Sequence, residues 1–129
     1  MRPIPMESSS WYTKRLPRGC RLCRQGAKMV LLVTGRCGES CYYCPLSEAK
    51  KGRDVVYANE LRVARDEDIV REAEAIGARG TGITGGDPLL VMDRTVRYIR
   101  LLKDRFGASH HIHLYTATVD RERFLRLQE

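Results

Sequence analysis

An α/β fold built on a parallel sheet is predicted by three observations. The apolar run Met29-Val-Leu-Leu-Val33 is too short for a helix of ordinary length, segments 81–84 and 112–117 have the same β character, and a helical pattern follows each of the three. The order β-α-β-α-β-α argues for right-handed crossovers and parallel strands. The chain's 129 residues give room for one domain and a real core, and not for a complete enzyme barrel of around 200 residues or more.

Composition narrows the class. Apolar residues make up 43% and charged residues 30%, as in an ordinary soluble domain. No stretch approaches the roughly 18 apolar residues of a membrane span, and residues 1–10 lack the apolar core of a signal peptide, so the chain is expected to be cytoplasmic, without a membrane partner. Five cysteines in two clusters read as thiols and not as a disulfide framework. The net charge of +7 sits in an N-terminal arm: residues 1–36 hold eight Lys/Arg against Glu7 alone, and residues 37–129 hold fifteen of each sign. That arm is a candidate contact for nucleic acid or an acidic surface, and equally a solvated basic segment.

Residues 1–27 are punctuated by Pro3, Pro5, Ser8 to Ser10, Pro17 and Gly19, which predicts an irregular arm, with Trp11 and Tyr12 packed on the domain as anchors. Within it, Cys20 and Cys23 form a C-x2-C pair, read as structural thiols or as part of a metal site completed elsewhere. The domain proper spans 28–129. Its first strand, 28–34, is expected to be buried on both faces. Residues 54–63 predict a short hairpin or an extended excursion.

Acids at 66–68 with Ile69, Ala73 and Ile76 predict a helix stopped by Gly77. Thr81 to Thr84 predicts the second strand, and Asp93 is expected to cap a helix carrying Val96, Ile99, Leu102 and Phe106 and ended by Gly107. A third strand over 112–117 and a helix from Asp120 complete the pattern. His111 and His113 alternate along that last strand, so they share a face with Tyr115 and Ala117. Satisfied core histidines are the expected outcome there, and Thr116 lies at the strand end where ligands collect in parallel α/β folds.

The chemistry concentrates in Cys37-x3-Cys41-x2-Cys44, directly after the first strand. Three thiolates can hold three irons of a [4Fe-4S] cluster and leave the fourth open. The spacing departs from the ferredoxin run, and Cys20 and Cys23 lie near zinc-ribbon spacing, so a zinc module with a basic nucleic-acid-contacting arm stays open as the alternative. This loop, with Tyr43 before its last cysteine, resembles the signature of the radical S-adenosylmethionine (SAM) superfamily. Gly85-Gly86-Asp87-Pro88 at the end of the second strand is similar to that family's Gly-Gly-Glu-Pro turn, with Asp87 one methylene shorter. The closer likeness is to uncharacterised proteins related to pyruvate formate-lyase activating enzymes.

The resemblance implies the N-terminal three βα units of a partial (βα)6 TIM-like barrel, a truncated version of the family's domain that lacks strands four to six. It implies a [4Fe-4S] cluster on Cys37, Cys41 and Cys44. It also implies S-adenosylmethionine beside Tyr43, Gly85, Gly86, Asp87 and Pro88, for generation of a 5′-deoxyadenosyl radical. If the His111 face lines the barrel, His113 and Tyr115 lie near cofactor or substrate. The implied partners are a one-electron reductant such as flavodoxin or ferredoxin, a substrate not named by the sequence, and a partner supplying the other half of the barrel.

Overall fold

The computed structural model describes residues 1–7 and 9–129, so the reading of Ser8 as a chain breaker lies outside the described residues. The elements run β1 (Ile4–Pro5), β2 (Trp11–Tyr12), α1 (Arg18–Arg24), β3 (Lys28–Leu32), β4 (Tyr57–Ala58), β5 (Leu61–Arg62), α2 (Asp66–Ala75), β6 (Gly80–Thr84), a 3-10 turn (Pro88–Val91), α3 (Met92–Phe106), β7 (His111–Leu114) and α4 (Arg121–Arg126). Five strands form one mixed sheet in the order β5-β4-β3-β6-β7. The three predicted strands are its parallel part: β3 pairs with β6 from Lys28↔Gly80 to Leu32↔Thr84, and β6 with β7 from Gly80↔His111 to Ile83↔Leu114.

Strand alternation sorts the side chains into two faces. Met29, Leu31 and Val33, with Ile83, pack against Ile69 and Ala73 of α2 and Tyr98 and Leu102 of α3, and Ile112 and Leu114 join them at the margin. Each fully buried aliphatic side chain here stabilises the fold by about 1.5–3 kcal/mol. Truncating one, as in Leu31→Ala, costs about 2–5 kcal/mol because the neighbours relax only partly. The opposite face carries Lys28, Val30 and Leu32, then Gly80, Gly82 and Thr84, then His111, His113 and Tyr115. Among the described residues only the short helix α1 reaches this face, at its entrance, so Val30 is 52% exposed, and the expectation of a first strand buried on both faces fails there.

Three further expectations are corrected. The arm is not irregular throughout: β1 and β2 pair antiparallel, and α1 folds over residues 18–24, docking by Leu22 against the entrance of the sheet. Trp11 is 65% exposed and does not anchor the arm by burial. Asp93 does not cap α3, whose N-cap position is Val91; its carboxylate accepts from Arg126 instead, while Asp87 caps the preceding 3-10 turn. Residues 57–62 take the hairpin option. Asn59 turns it at φ 52°, and β4 covers the outer edge of β3 that three parallel strands alone would leave open.

Sequence signals do mark both ends of α2 and the start of α4. Asp68 accepts from the backbone N–H groups of Ala64 and Arg65, satisfying donors at the start of α2, and Gly77 leaves it at φ 62°. Asp120 caps α4 through the Arg123 N–H. No helix among the described residues is long and apolar enough to cross a membrane.

One polar brace crosses the layers. Arg94 on α3 donates to Asp54 at 2.6 and 3.0 Å and to the Val33 carbonyl at 2.9 Å, and the Thr34 hydroxyl donates to Asp54 at 3.0 Å. These bonds, the one from Arg94 foremost, hold the Asp54 carboxyl at a pKa of about 2. A carboxyl depressed in the folded state contributes stability above its unfolded value near 4, and that contribution is lost as pH falls toward 2. We expect Asp54→Asn to lower unfolding free energy at pH 7 by roughly 1 kcal/mol, after discounting for partial solvent screening. In chemical denaturation the gap between variant and wild type should close between about pH 4 and pH 2; a gap independent of pH would show that the charge on Asp54 does not matter.

Candidate functional site

The parallel strands end at the same level, and three loops meet there: 34–46 after β3, 85–88 after β6 and 115–118 after β7. Backbone hydrogen bonds tie them together. Gly86 N donates to the Thr34 carbonyl at 2.7 Å, Asp87 N to the Arg36 carbonyl at 2.7 Å, and Tyr115 N to the Ile83 carbonyl at 3.0 Å. On the far side of the cysteine loop, Gly35 and the 50–53 turn exchange bonds, Gly35 N to the Arg53 carbonyl at 2.7 Å and Gly52 N to the Gly35 carbonyl at 2.8 Å.

The two glycines of the Gly85-Gly86 turn are needed for a reason the sequence does not give. A Cβ at Gly85 would lie 2.5 Å from the Thr34 carbonyl oxygen, and one at Gly86 would overlap the Arg36 carbonyl. What comes close is the chain's own backbone at the root of the cysteine loop.

These loops enclose a cleft of about 320 Å³ lined by Cys37, Cys41, Cys44, Tyr43, Gly85 and Gly86, with Ala117 closing the β7 side. Cys37 is exposed and Cys41 and Cys44 are half-buried; Cys44 N donates to the Cys41 carbonyl at 3.2 Å, and Glu39 N to the Cys37 sulfur at 3.4 Å. Tyr43 stands at the rim, largely exposed, packed edge-on against Tyr42, and a hydrogen bond with Cys41 pushes its hydroxyl pKa up. The structure thus brings six of the eight sequence-predicted site residues to one cleft. Among the described residues no three His, Cys, Asp or Glu side chains converge closely enough to hold a single metal ion. The three thiols are instead distributed around the cleft wall.

Asp87 and Pro88 stand behind that wall, both buried. The Thr116 and Thr118 hydroxyls each donate to the Asp87 carboxylate at 2.6 Å. Burial alone would raise the Asp87 pKa, but these bonds and the N–H groups of Leu89 and Ala117 outweigh it and hold the carboxyl below its ordinary value. Sequence reasoning noted Thr116 and missed Thr118; the signal was the Thr-Ala-Thr alternation, which puts both hydroxyls on one side.

His111 and His113 share a face with Tyr115, as expected, but they are half-buried and not core residues. His113 contacts the Lys28 ammonium and packs edge-on to Tyr115 with ring centroids 4.8 Å apart. The core histidine is His110, 3% exposed, 2.8 Å from the Thr81 hydroxyl, with burial lowering its pKa. Cys20 and Cys23 are exposed on α1, whose Gly19 abuts Lys28 and His111 at the entrance of the sheet. Cys37 follows its exit, a β3 length of roughly 15 Å away. One zinc ion, with sulfur ligands at about 2.3 Å, cannot bridge the two groups.

The family model described as the Radical SAM superfamily matches residues 31–129. A Methanocaldococcus jannaschii protein with the provisional name glycyl-radical enzyme activating enzyme is 47% identical over 117 residues, 89% of this chain and 31% of that protein. A Methanopyrus kandleri protein with the provisional name GTP 3',8-cyclase is 36% identical over 72 residues, 56% of this chain and 22% of that protein. The chain therefore spans about a third or less of the length of these relatives. No solved structure matches.

The tight backbone contact at the cleft yields a contrast between two glycines. Gly86→Ala must push the Arg36 carbonyl away, and we expect a loss of about 2–4 kcal/mol by thermal or denaturant unfolding. Gly38 lies within the cysteine loop with nothing near its would-be Cβ, and Gly38→Ala should cost under about 1 kcal/mol. Equal effects would mean that the apposition does not constrain the loop.

Proposed function

Because the chain belongs to the radical SAM superfamily, we propose that Cys37, Cys41 and Cys44 hold a [4Fe-4S] cluster in the cleft and that S-adenosylmethionine binds beside it, against Gly85 and Gly86. The observation that carries this reading is that all three cysteines of the C-x3-C-x2-C loop line one cleft together with the Gly-Gly turn. A cluster takes one thiolate per iron, so thiols spread around a wall suit it better than a single tetrahedral ion. Cluster and S-adenosylmethionine together supply one-electron chemistry for generating a 5′-deoxyadenosyl radical that abstracts hydrogen from a substrate.

This chain's own residues then have definite tasks. The three thiolates fix the cluster at the exit of β3. Gly85 and Gly86 present bare backbone to a ligand on the cleft side while their other side is pressed against residues 34–36. Tyr43 covers the rim and Ala117 narrows the cleft, which limits water. Asp87 and Pro88 support the turn from behind.

In this reading residues 28–129 are three βα units of a partial (βα)6 barrel, and further units come from a longer chain or a partner. The mixed sheet is compatible with that, because among the described residues the edge of β7 away from β6 carries no strand. The name of the M. jannaschii relative favours a protein substrate carrying an abstractable glycine hydrogen, with an external one-electron reductant such as flavodoxin or ferredoxin. The basic arm, with Arg18, Arg21 and Arg79 around a shallow hollow of about 280 Å³, is a surface for an acidic partner or nucleic acid.

Anaerobic reconstitution tests the cluster. We expect about four irons and four sulfides per chain with a charge-transfer band near 400 nm, lost in each of Cys37→Ala, Cys41→Ala and Cys44→Ala. The double variant Cys20→Ala with Cys23→Ala should retain it. A stoichiometric colourless zinc complex, or iron lost on removing Cys20 and Cys23, would sink the assignment.

A further inference from the structure

The surroundings of Asp87 leave it little capacity for a ligand. The carboxylate is 2% exposed. Its Oδ1 accepts from the Thr116 hydroxyl at 2.6 Å and the Leu89 N–H at 3.1 Å, and its Oδ2 accepts from the Thr118 hydroxyl at 2.6 Å. A carboxylate offers about four lone-pair positions; three donors occupy most of them, and burial closes off the rest. An ammonium group arriving from the cleft would have to displace one of these bonds, two of which have the short length of charge-assisted hydroxyl contacts.

The same residue touches all three strand ends. Its N–H donates to the Arg36 carbonyl at the root of the cysteine loop. It directly follows the Gly85-Gly86 turn, and its carboxylate holds residues 116–118, where Ala117 lines the cleft.

We propose that Asp87 is a positioning residue: with Thr116 and Thr118 it forms a clamp that locks the segment after β7 to the Gly-Gly turn and so sets the third wall of the cleft, without touching what binds there. The shorter acid is what the site requires. A glutamate would thrust one more methylene into a buried pocket whose three donors already meet the carboxylate. The clamp itself stands on this chain's own contacts, and its consequence for S-adenosylmethionine rests on the reading under Proposed function.

Two variants separate a clamp from a ligand contact. Thr116→Val with Thr118→Val removes both hydroxyl donors and leaves the acid in place, while Asp87→Glu keeps the acid and restores the residue usual in the family's turn. In the cofactor-free chain, amide hydrogen exchange at Gly86 and Ala117 should quicken about tenfold or more in both variants, with exchange in α2 unchanged. In the reconstituted chain, the concentration of S-adenosylmethionine that half-perturbs the cluster's EPR signal should rise about tenfold in both, with iron content unchanged. Adding Asp87→Asn to the double threonine variant should cost nothing further.

A direct ligand contact predicts the reverse pattern: Asp87→Glu binds as wild type, the threonine variants bind as wild type, and Asp87→Asn alone weakens binding. That pattern, or unchanged exchange at Ala117, overturns the clamp. If wild-type chain takes up a cluster that S-adenosylmethionine does not perturb, the cofactor reading fails, and the exchange measurement still decides the clamp.

Discussion

The site depends on how closely two backbones lie. Thr34 to Arg36 and Gly85 to Asp87 run against each other with no room for a Cβ between them and are joined by hydrogen bonds from Gly86 N and Asp87 N. Gly86 N and Asp87 N are paired with the Thr34 and Arg36 carbonyls, and Gly35 N and its carbonyl with the 50–53 turn, so these backbone groups of the seam are satisfied within the protein. The apposition also transmits position. The cysteine loop leaves from one side and the 3-10 turn from the other, so the thiols and the Gly-Gly turn cannot shift independently.

Stability and chemistry are divided between the two faces and two ends of the sheet. The helix-facing side chains, Met29, Leu31, Val33 and Ile83 with Ile69, Tyr98 and Leu102, form a closed apolar layer that needs no ligand. The open face mixes exposed Val30 with polar groups, and its His113 contacts both Lys28 and Tyr115. Mutations on the first face act through packing over the whole domain. Those at the strand exits act on the cleft.

Local signals made much of this legible. Val and Leu density marked β3, acids in a first turn marked α2, and Gly107 marked the end of α3, where it adopts φ 89°. The cysteine spacing and the Gly-Gly-Asp-Pro turn marked the cleft, because both lie one strand apart at the same end of a parallel sheet. What was not legible depended on distant partners. Helix α1 has seven residues and is held by Leu22 against a sheet formed later in the chain, so the prolines and glycines around it dominated its reading. His110 is out of phase with His111 and His113 and in phase with Ile112 and Leu114, and the pairing of β7 with β6 then sets it beside Thr81. The fate of Asp87 was hidden for the same reason, since its two hydroxyl donors lie 29 and 31 residues away.

On the open face the middle strand is nearly bare. Gly80 and Gly82 have no side chains there, and the rings of His111 and His113 lie across the space, so close that a Cβ at Gly82 would come within 2.8 Å of His113 Nε2. β6 is therefore a floor without fixtures. Side-chain contacts on that face come from its flanking strands, β3 and β7, at positions 28, 30, 113 and 115, with 80 and 82 left bare. A side chain at either glycine would have to displace atoms of β7, His111 at Gly80 and His113 at Gly82, before it could contribute any contact of its own.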